Sequence, residues 1–190
     1  MRIYVLFAHP DPESFNGQLA AGYCSAAIAA GHEVRRQDLF ELEFDPILRL
    51  GLRAVQPLEV DLIAARANLD WCQHFVLFYP VWWGNVPAVL KGFFDRALYS
   101  EITYHHDVDD PLWSKMLEGR SAHIITTSDA PEAWLKAHNR DSDISAVRRG
   151  TLEFCGMKPV KVTRVDGVKD LDIKAREKWI KRVARHGAAP

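Results

Sequence analysis

Apolar positions in this chain alternate between two rhythms from one end to the other. Short runs rich in β-branched and aromatic residues predict buried strands over 2–8, 75–79, 122–127 and 160–165, with a further, polar strand expected over 33–38. Between them, apolar residues recur at helical spacing. Leu19, Ala20, Tyr23, Ala26, Ala27 and Ala30 form one such stripe, and helices are expected over 15–30, 58–71, 87–98, 146–154 and 173–185. Gly31 and Gly156 close two of these helices, and Asp45-Pro46 opens a long connection. Repeated strand–helix units call for a parallel sheet covered on both faces.

Two junctions in this pattern carry chemistry. The first strand breaks at His9-Pro-Asp-Pro-Glu-Ser14-Phe15-Asn16 and gives way to a helix. A helix N-terminus offers unpaired N–H groups and a partial positive charge, so an anion settles there readily. Ser14 and Asn16 either cap the helix or bind phosphate oxygens, and His9 is a further donor. The loop is neither a Walker A sequence nor a Gly-x-Gly-x-x-Gly turn. The second junction is Pro80-Val81-Trp82-Trp83-Gly84-Asn85-Val86-Pro87, where Pro80 ends a strand and Pro87 suits the first turn of the next helix. Two adjacent tryptophans are costly to leave in water, so they are expected to cover the core, another chain or a flat ligand.

With both segments in view, the chain resembles the NAD(P)H:quinone oxidoreductases of the flavodoxin-like superfamily. The likeness rests on His9–Asn16, on Pro80–Pro87 followed by Leu90-Lys-Gly-Phe-Phe-Asp-Arg96, and on Ile124-Ile-Thr126-Thr127 with the later Leu152-Glu-Phe-Cys-Gly156. The resemblance implies an α/β flavodoxin-like three-layer sandwich, one domain over residues 1–190, with a five-stranded parallel sheet. It further implies a flavin, FAD in narrow preference to FMN, and NAD(P)H as co-substrate. His9, Ser14, Phe15 and Asn16 would surround the flavin phosphate. Pro80, Val81, Trp82, Trp83, Gly84 and Asn85 would lie along the ring, with Thr126, Thr127, Ser128 and Asp129 closing its other side. Hydride would pass from NAD(P)H to a quinone or similar acceptor in a ping-pong scheme.

The sequence departs from the family beside the ring. Better-known members carry two glycines after the paired threonines, where this chain has Ser128-Asp129-Ala130-Pro131. The family's pocket tyrosine falls at Trp134 and its histidine at Arg140, with His138 two residues earlier as the alternative proton donor or, with Trp134, part of a surface helix. Tyr104 and His106 fall where aromatic residues of the family reach into the neighbouring subunit's site, which implies a homodimer. An alternative role is a redox-sensing ancillary subunit of a potassium efflux system.

Composition narrows the remaining classes. A net charge of −1 gives no support for nucleic-acid binding. No apolar run is long enough to insert into a membrane, and Met1-Arg2 leads straight into a strand, so a cytoplasmic protein without a signal peptide is expected. Cys24, Cys72 and Cys155 are expected to be buried free thiols. The His105-His106-Asp107 run, with Asp109 and Asp110, matches no compact metal motif, and no metal site is expected. The basic stretch Lys174–Arg185 reads as a solvated helix face.

Overall fold

A computed structural model describes residues 1–51, 53–98 and 117–190. Five strands are present: β1 (Arg2–Phe7), β2 (Glu33–Asp38), β3 (His74–Pro80), β4 (Ser121–Thr127) and β5 (Val160–Val165). They form one parallel sheet in the order β2-β1-β3-β4-β5. The helices are α1 (Phe15–Ala29), α2 (Val60–Trp71), α3 (Ala88–Ala97), α4 (Glu132–Asn139), α5 (Ser142–Val147) and α6 (Ile173–Ala188).

Alternate residues of the central strands enter two separate cores. Ile3, Val5, Phe7, Val76, Phe78 and Ile125 face α1 and α6. Tyr4, Leu6, Phe75, Leu77, Tyr79 and Ile124 face α2, α3 and α5. Burial on both faces is why β1 and β3 read as nearly unbroken apolar runs rather than alternating ones. The order of strands reverses between β1 and β3, so ligands belong in the crevice beyond their carboxyl ends. The His9 and Pro80 loops leave the sheet at that point.

Parts of the candidate motifs prove to be structural. A Cβ on Gly92 would come within 2.5 Å of the Pro46 carbonyl oxygen, so the long connection crosses α3 only at a glycine. Arg96, one turn later, holds that connection. Its guanidinium donates to the Asp45 carbonyl, to the Pro57 carbonyl at 2.7 Å and to the Glu59 carboxylate at 2.8 and 3.2 Å. The helix expected over 146–154 differs from expectation. It starts at Ser142, because the Asp141 carbonyl accepts from both Ile144 and Ser145 N–H, and it widens into a π-type turn over Arg148–Glu153. The cysteines are free, but Cys24 is only half-buried, at the edge of the core that α1 shares with the sheet. No helix among the described residues is long and apolar enough to cross a membrane.

Candidate functional site

The His9 loop folds back over the first turn of α1. Its tight path needs Gly17, where a Cβ would lie 2.0 Å from the Pro12 carbonyl oxygen. Ser14 is the N-cap: its hydroxyl accepts from Gly17 N–H at 3.1 Å and donates to the Asp11 carbonyl at 2.6 Å. Of the two roles open to Ser14, the structure shows the cap. His9 Nδ1 accepts from Asp11 N–H at 2.9 Å, which puts the proton of the neutral ring on Nε2. The His9 ring stacks on Phe7 and meets the edge of Trp82, with centroids 6.2 and 6.1 Å apart. Phe15 and Asn16 open the helix, and their N–H groups have no intrahelical acceptor. The Arg176 guanidinium of α6 lies 5.0 Å from the Phe15 ring and adds positive charge at this end. Nothing in the sequence pattern singled Arg176 out, since it sits in a run of basic residues.

Asn16 joins the first loop to the third. Its Nδ2 donates to Thr127 Oγ1 at 3.1 Å, so one of its amide hydrogens is already engaged. Asn16 Oδ1 and Thr126 Oγ1 are buried with no partner. Buried polar atoms are normally satisfied; Thr126 lies on the Tyr79 and Arg164 side of the sheet, so it is the Asn16 orphan, on the α1 side, that fits a bound polar group at the start of α1.

The second loop is a tight hairpin. Pro80 ends β3, and Val81 N–H extends its pairing to the Thr127 carbonyl at 2.8 Å. Trp82 and Asn85 then exchange both backbone hydrogen bonds at 2.9 Å. Trp83 and Gly84, with φ of 53° and 67°, form a type I′ turn. That turn suits glycine at its second position and strains a tryptophan at its first. The bridge uses the N–H groups of Trp82 and Asn85 and leaves those of Trp83 and Gly84 outside it. Neither tryptophan is packed into the core of the chain itself: Trp82 is 41% exposed and Trp83 fully so. Both line a cavity of about 880 Å³ between the hairpin, α3 and the 148–153 turn, with Val86, Phe94, Val147 and Phe154 among its other walls. The turn geometry lifts Trp83 off the protein, which is why the pair does not pack inward.

The third loop follows β4. Thr127 and Ser128 are nearly buried, and the Ser128 hydroxyl donates to the Ala130 carbonyl at 2.8 Å. Asp129 is exposed and accepts from Lys169 N–H at 3.1 Å. Trp134 and His138 stack on the outer face of α4 with centroids 4.7 Å apart, and His138 Nδ1 lies 3.2 Å from the Trp134 carbonyl. Arg140 is exposed and caps α4 in the left-handed region. Tyr104 and His106, with the rest of the His105–Asp110 run, lie outside the described residues.

A buried ion cluster behind this edge escaped sequence reasoning. Arg164 of β5 pairs with Asp141 at 2.9 Å and Asp143 at 3.0 Å. Tyr79 donates its hydroxyl to the Asp143 carbonyl at 3.0 Å. Burial pushes the Asp143 carboxyl above the usual range, and the Arg164 charge opposes that rise. Burial likewise raises the Tyr79 phenol, which stays protonated and donates. Arg164 sits in a strand that alternates apolar and polar residues, so no local signal marked it.

The sequence pattern of the family described as flavodoxin-like fold matches residues 1–189. The chain belongs to that family. The rat ribosyldihydronicotinamide dehydrogenase (quinone) is 26% identical over 181 residues, spanning 83% of this chain and 78% of that one. An NAD(P)H:quinone oxidoreductase from Methanothermobacter marburgensis is 25% identical, with a TM-score of 0.81 over 99% of this chain and 96% of its own. Smu.1420 from Streptococcus mutans is 26% identical, with a TM-score of 0.83 over 100% of both chains. These relatives bear out the resemblance to the quinone oxidoreductases and the flavodoxin-like fold.

Proposed function

We propose that the protein is a flavin-dependent oxidoreductase that transfers hydride from NAD(P)H to a quinone or similar acceptor, each bound in turn at one site. The observation that carries this reading is the meeting of three loops beyond the carboxyl ends of β1, β3 and β4, with the buried Asn16 oxygen unmatched there. Membership of the flavodoxin-like family and similarity to quinone dehydrogenases and quinone oxidoreductases support it.

The phosphate end of a flavin would meet the α1 N-terminus, held by the Phe15 and Asn16 N–H groups, His9 Nε2–H and the Arg176 charge. Ser14 fixes that end as its cap. The ring would lie along Pro80–Asn85 and be closed by Thr126–Asp129. When bound, the flavin supplies the hydride chemistry. The chain's part is to hold and polarise it. The N–H groups of Trp83 and Gly84, outside the bridge, favour negative charge on a ligand laid against the hairpin. Trp134, His138 and Arg140 are proposed to meet the acceptor, joined by Tyr104 and His106 of a second copy in a homodimer. FAD is favoured over FMN by the form of the His9–Asn16 segment. Purified protein given NAD(P)H and a quinone alone should consume the NAD(P)H. A protein that binds neither flavin, or that leaves NAD(P)H untouched, overturns the reading.

A further inference from the structure

Backbone strain is gathered at one junction of this molecule. Among the described residues, three non-glycine residues have positive φ: Trp83 at 53°, Arg140 at 51° and Asp141 at 53°. Residues with a Cβ pay free energy to hold that conformation and keep it only where their surroundings over-determine it. Trp83 is far in sequence from the adjacent Arg140 and Asp141, but the two places meet in space. The Ser142 hydroxyl donates to the Gly84 carbonyl at 3.2 Å, and Asn139 lies so close that a Cβ on Gly84 would come within 2.0 Å of its Nδ2. The corner between α4 and α5 therefore rests on the hairpin that carries Trp83.

Arg164 secures that corner from below. Its side chain is 4% exposed and that of Asp143 is 0%, so both charges are out of water. One guanidinium nitrogen reaches left-handed Asp141 at 2.9 Å, and the other straddles the Asp143 carboxylate at 3.0 and 3.2 Å. Tyr79, at the end of β3, binds the Asp143 carbonyl and ties the same corner to the strand that launches the hairpin. None of these groups lines the cavity beside the hairpin.

The geometry points to Arg164 as a positioning residue: through Asp141 and Asp143 it holds residues 139–142 against Gly84 and so fixes the strained Trp82–Asn85 hairpin. For the ligand, this rests on the proposed function; for the linkage, it does not. An ordinary buried ion pair would support the fold without governing the hairpin, and the two roles separate experimentally. Protein labelled with fluorotryptophan, its Trp83 resonance assigned with Trp83→Phe, reports the hairpin by fluorine NMR in the flavin-free protein. Arg164→Lys keeps the charge but loses the two-pronged contact, and Ser142→Ala removes one surface hydrogen bond. Both should broaden or split the Trp83 resonance. In flavin-loaded protein both should raise KM for the quinone more than they lower kcat, with flavin affinity falling roughly tenfold in Arg164→Lys. An unchanged Trp83 resonance in both variants, with only a lower unfolding midpoint in Arg164→Lys, overturns the proposal. If Arg164→Lys does not fold, Asn139→Ala combined with Ser142→Ala decides: an unchanged resonance overturns the proposal and a broadened one supports it. A hairpin that responds in protein unable to bind flavin upholds the linkage and instead defeats the functional reading.

Discussion

Arg96 and Arg164 are both cations removed from water, with side-chain exposures of 1% and 4%, yet they anchor different things. Arg96 binds a connection across α3, through two backbone carbonyls and a Glu59 side chain that is still 34% exposed. Arg164 binds a corner that rests on the candidate site, and one of its partners, Asp143, is wholly buried. The difference shows that burial of a charge does not by itself reveal its purpose. What the charge holds in place decides whether the fold alone or also the site depends on it.

Removing each arginine sharpens the contrast. Breaking a buried pair costs about 3–5 kcal/mol because the remaining charge is left unpaired. Arg164→Ala should fall at the upper end, since Asp143 has no access to water, and Arg96→Ala at the lower end, since Glu59 can rehydrate. Urea unfolding measures both. The loss in Arg164→Ala should shrink as pH falls, because a buried unpaired carboxylate takes up a proton. Flavin affinity of the folded molecules should drop in Arg164→Ala and hold in Arg96→Ala. Equal effects of the two variants on flavin binding would break the comparison.

The same pair shows how much was legible beforehand. Strands β1 and β3 follow from apolar runs, because burial on both faces leaves a continuous local signal, and the helices between the strands follow from helical spacing. Arg96 belongs to a compact run with Leu90, Gly92 and Phe93, so its segment stood out even though its partner did not. Arg164 sits in a strand of alternating character, and its partners lie about twenty residues upstream on another element. Nothing local marks it. The Pro80–Asn85 loop was identifiable as a junction, but the type I′ turn that lifts Trp83 into solvent was not, because tryptophan is a poor predictor of positive φ. Ser14 remained open between two roles until Gly17 and Asp11 were seen to take both of its hydrogen-bonding capacities.

A third region should act equally on both arginine variants. His74 and His123 are buried near the opposite end of the sheet, bound to Ser121 at 2.7 Å and Thr163 at 2.8 Å. Burial, reinforced by the Lys161 charge and by neighbouring His32 and His186, pushes them down to about 4 and about 3. A histidine with a lowered folded-state pKa contributes stability that is fully present above its unfolded value. That stability is lost as pH falls from about 6.5, where the unfolded chain begins to take up protons, toward the folded values. The slope should be about 1.4 kcal/mol per pH unit for each. Urea unfolding between those limits measures it, and His123→Gln should roughly halve the slope. A flat profile in the wild type would contradict the neutral burial of both rings.

The smallest effect concerns the strained turn. Trp83→Asn should stabilise the fold by roughly 1 kcal/mol, since asparagine tolerates positive φ, while weakening quinone binding. The thermal unfolding midpoint and KM for the quinone should therefore both rise, whereas loss of a core tryptophan would lower the midpoint. A destabilised Trp83→Asn would mean that the ring packs on something the present arrangement does not account for.

The central claim is that three loops beyond the carboxyl ends of β1, β3 and β4 form a flavin site for hydride transfer. Its most direct test is an anaerobic titration. Flavin-free protein is loaded with FAD or FMN, reduced with NAD(P)H, and then given one equivalent of quinone with no other protein present. The account predicts tight flavin binding, bleaching on reduction and full return of the oxidised spectrum when quinone is added. Failure to bind either flavin, or a reduced flavin that quinone leaves unchanged, would contradict it.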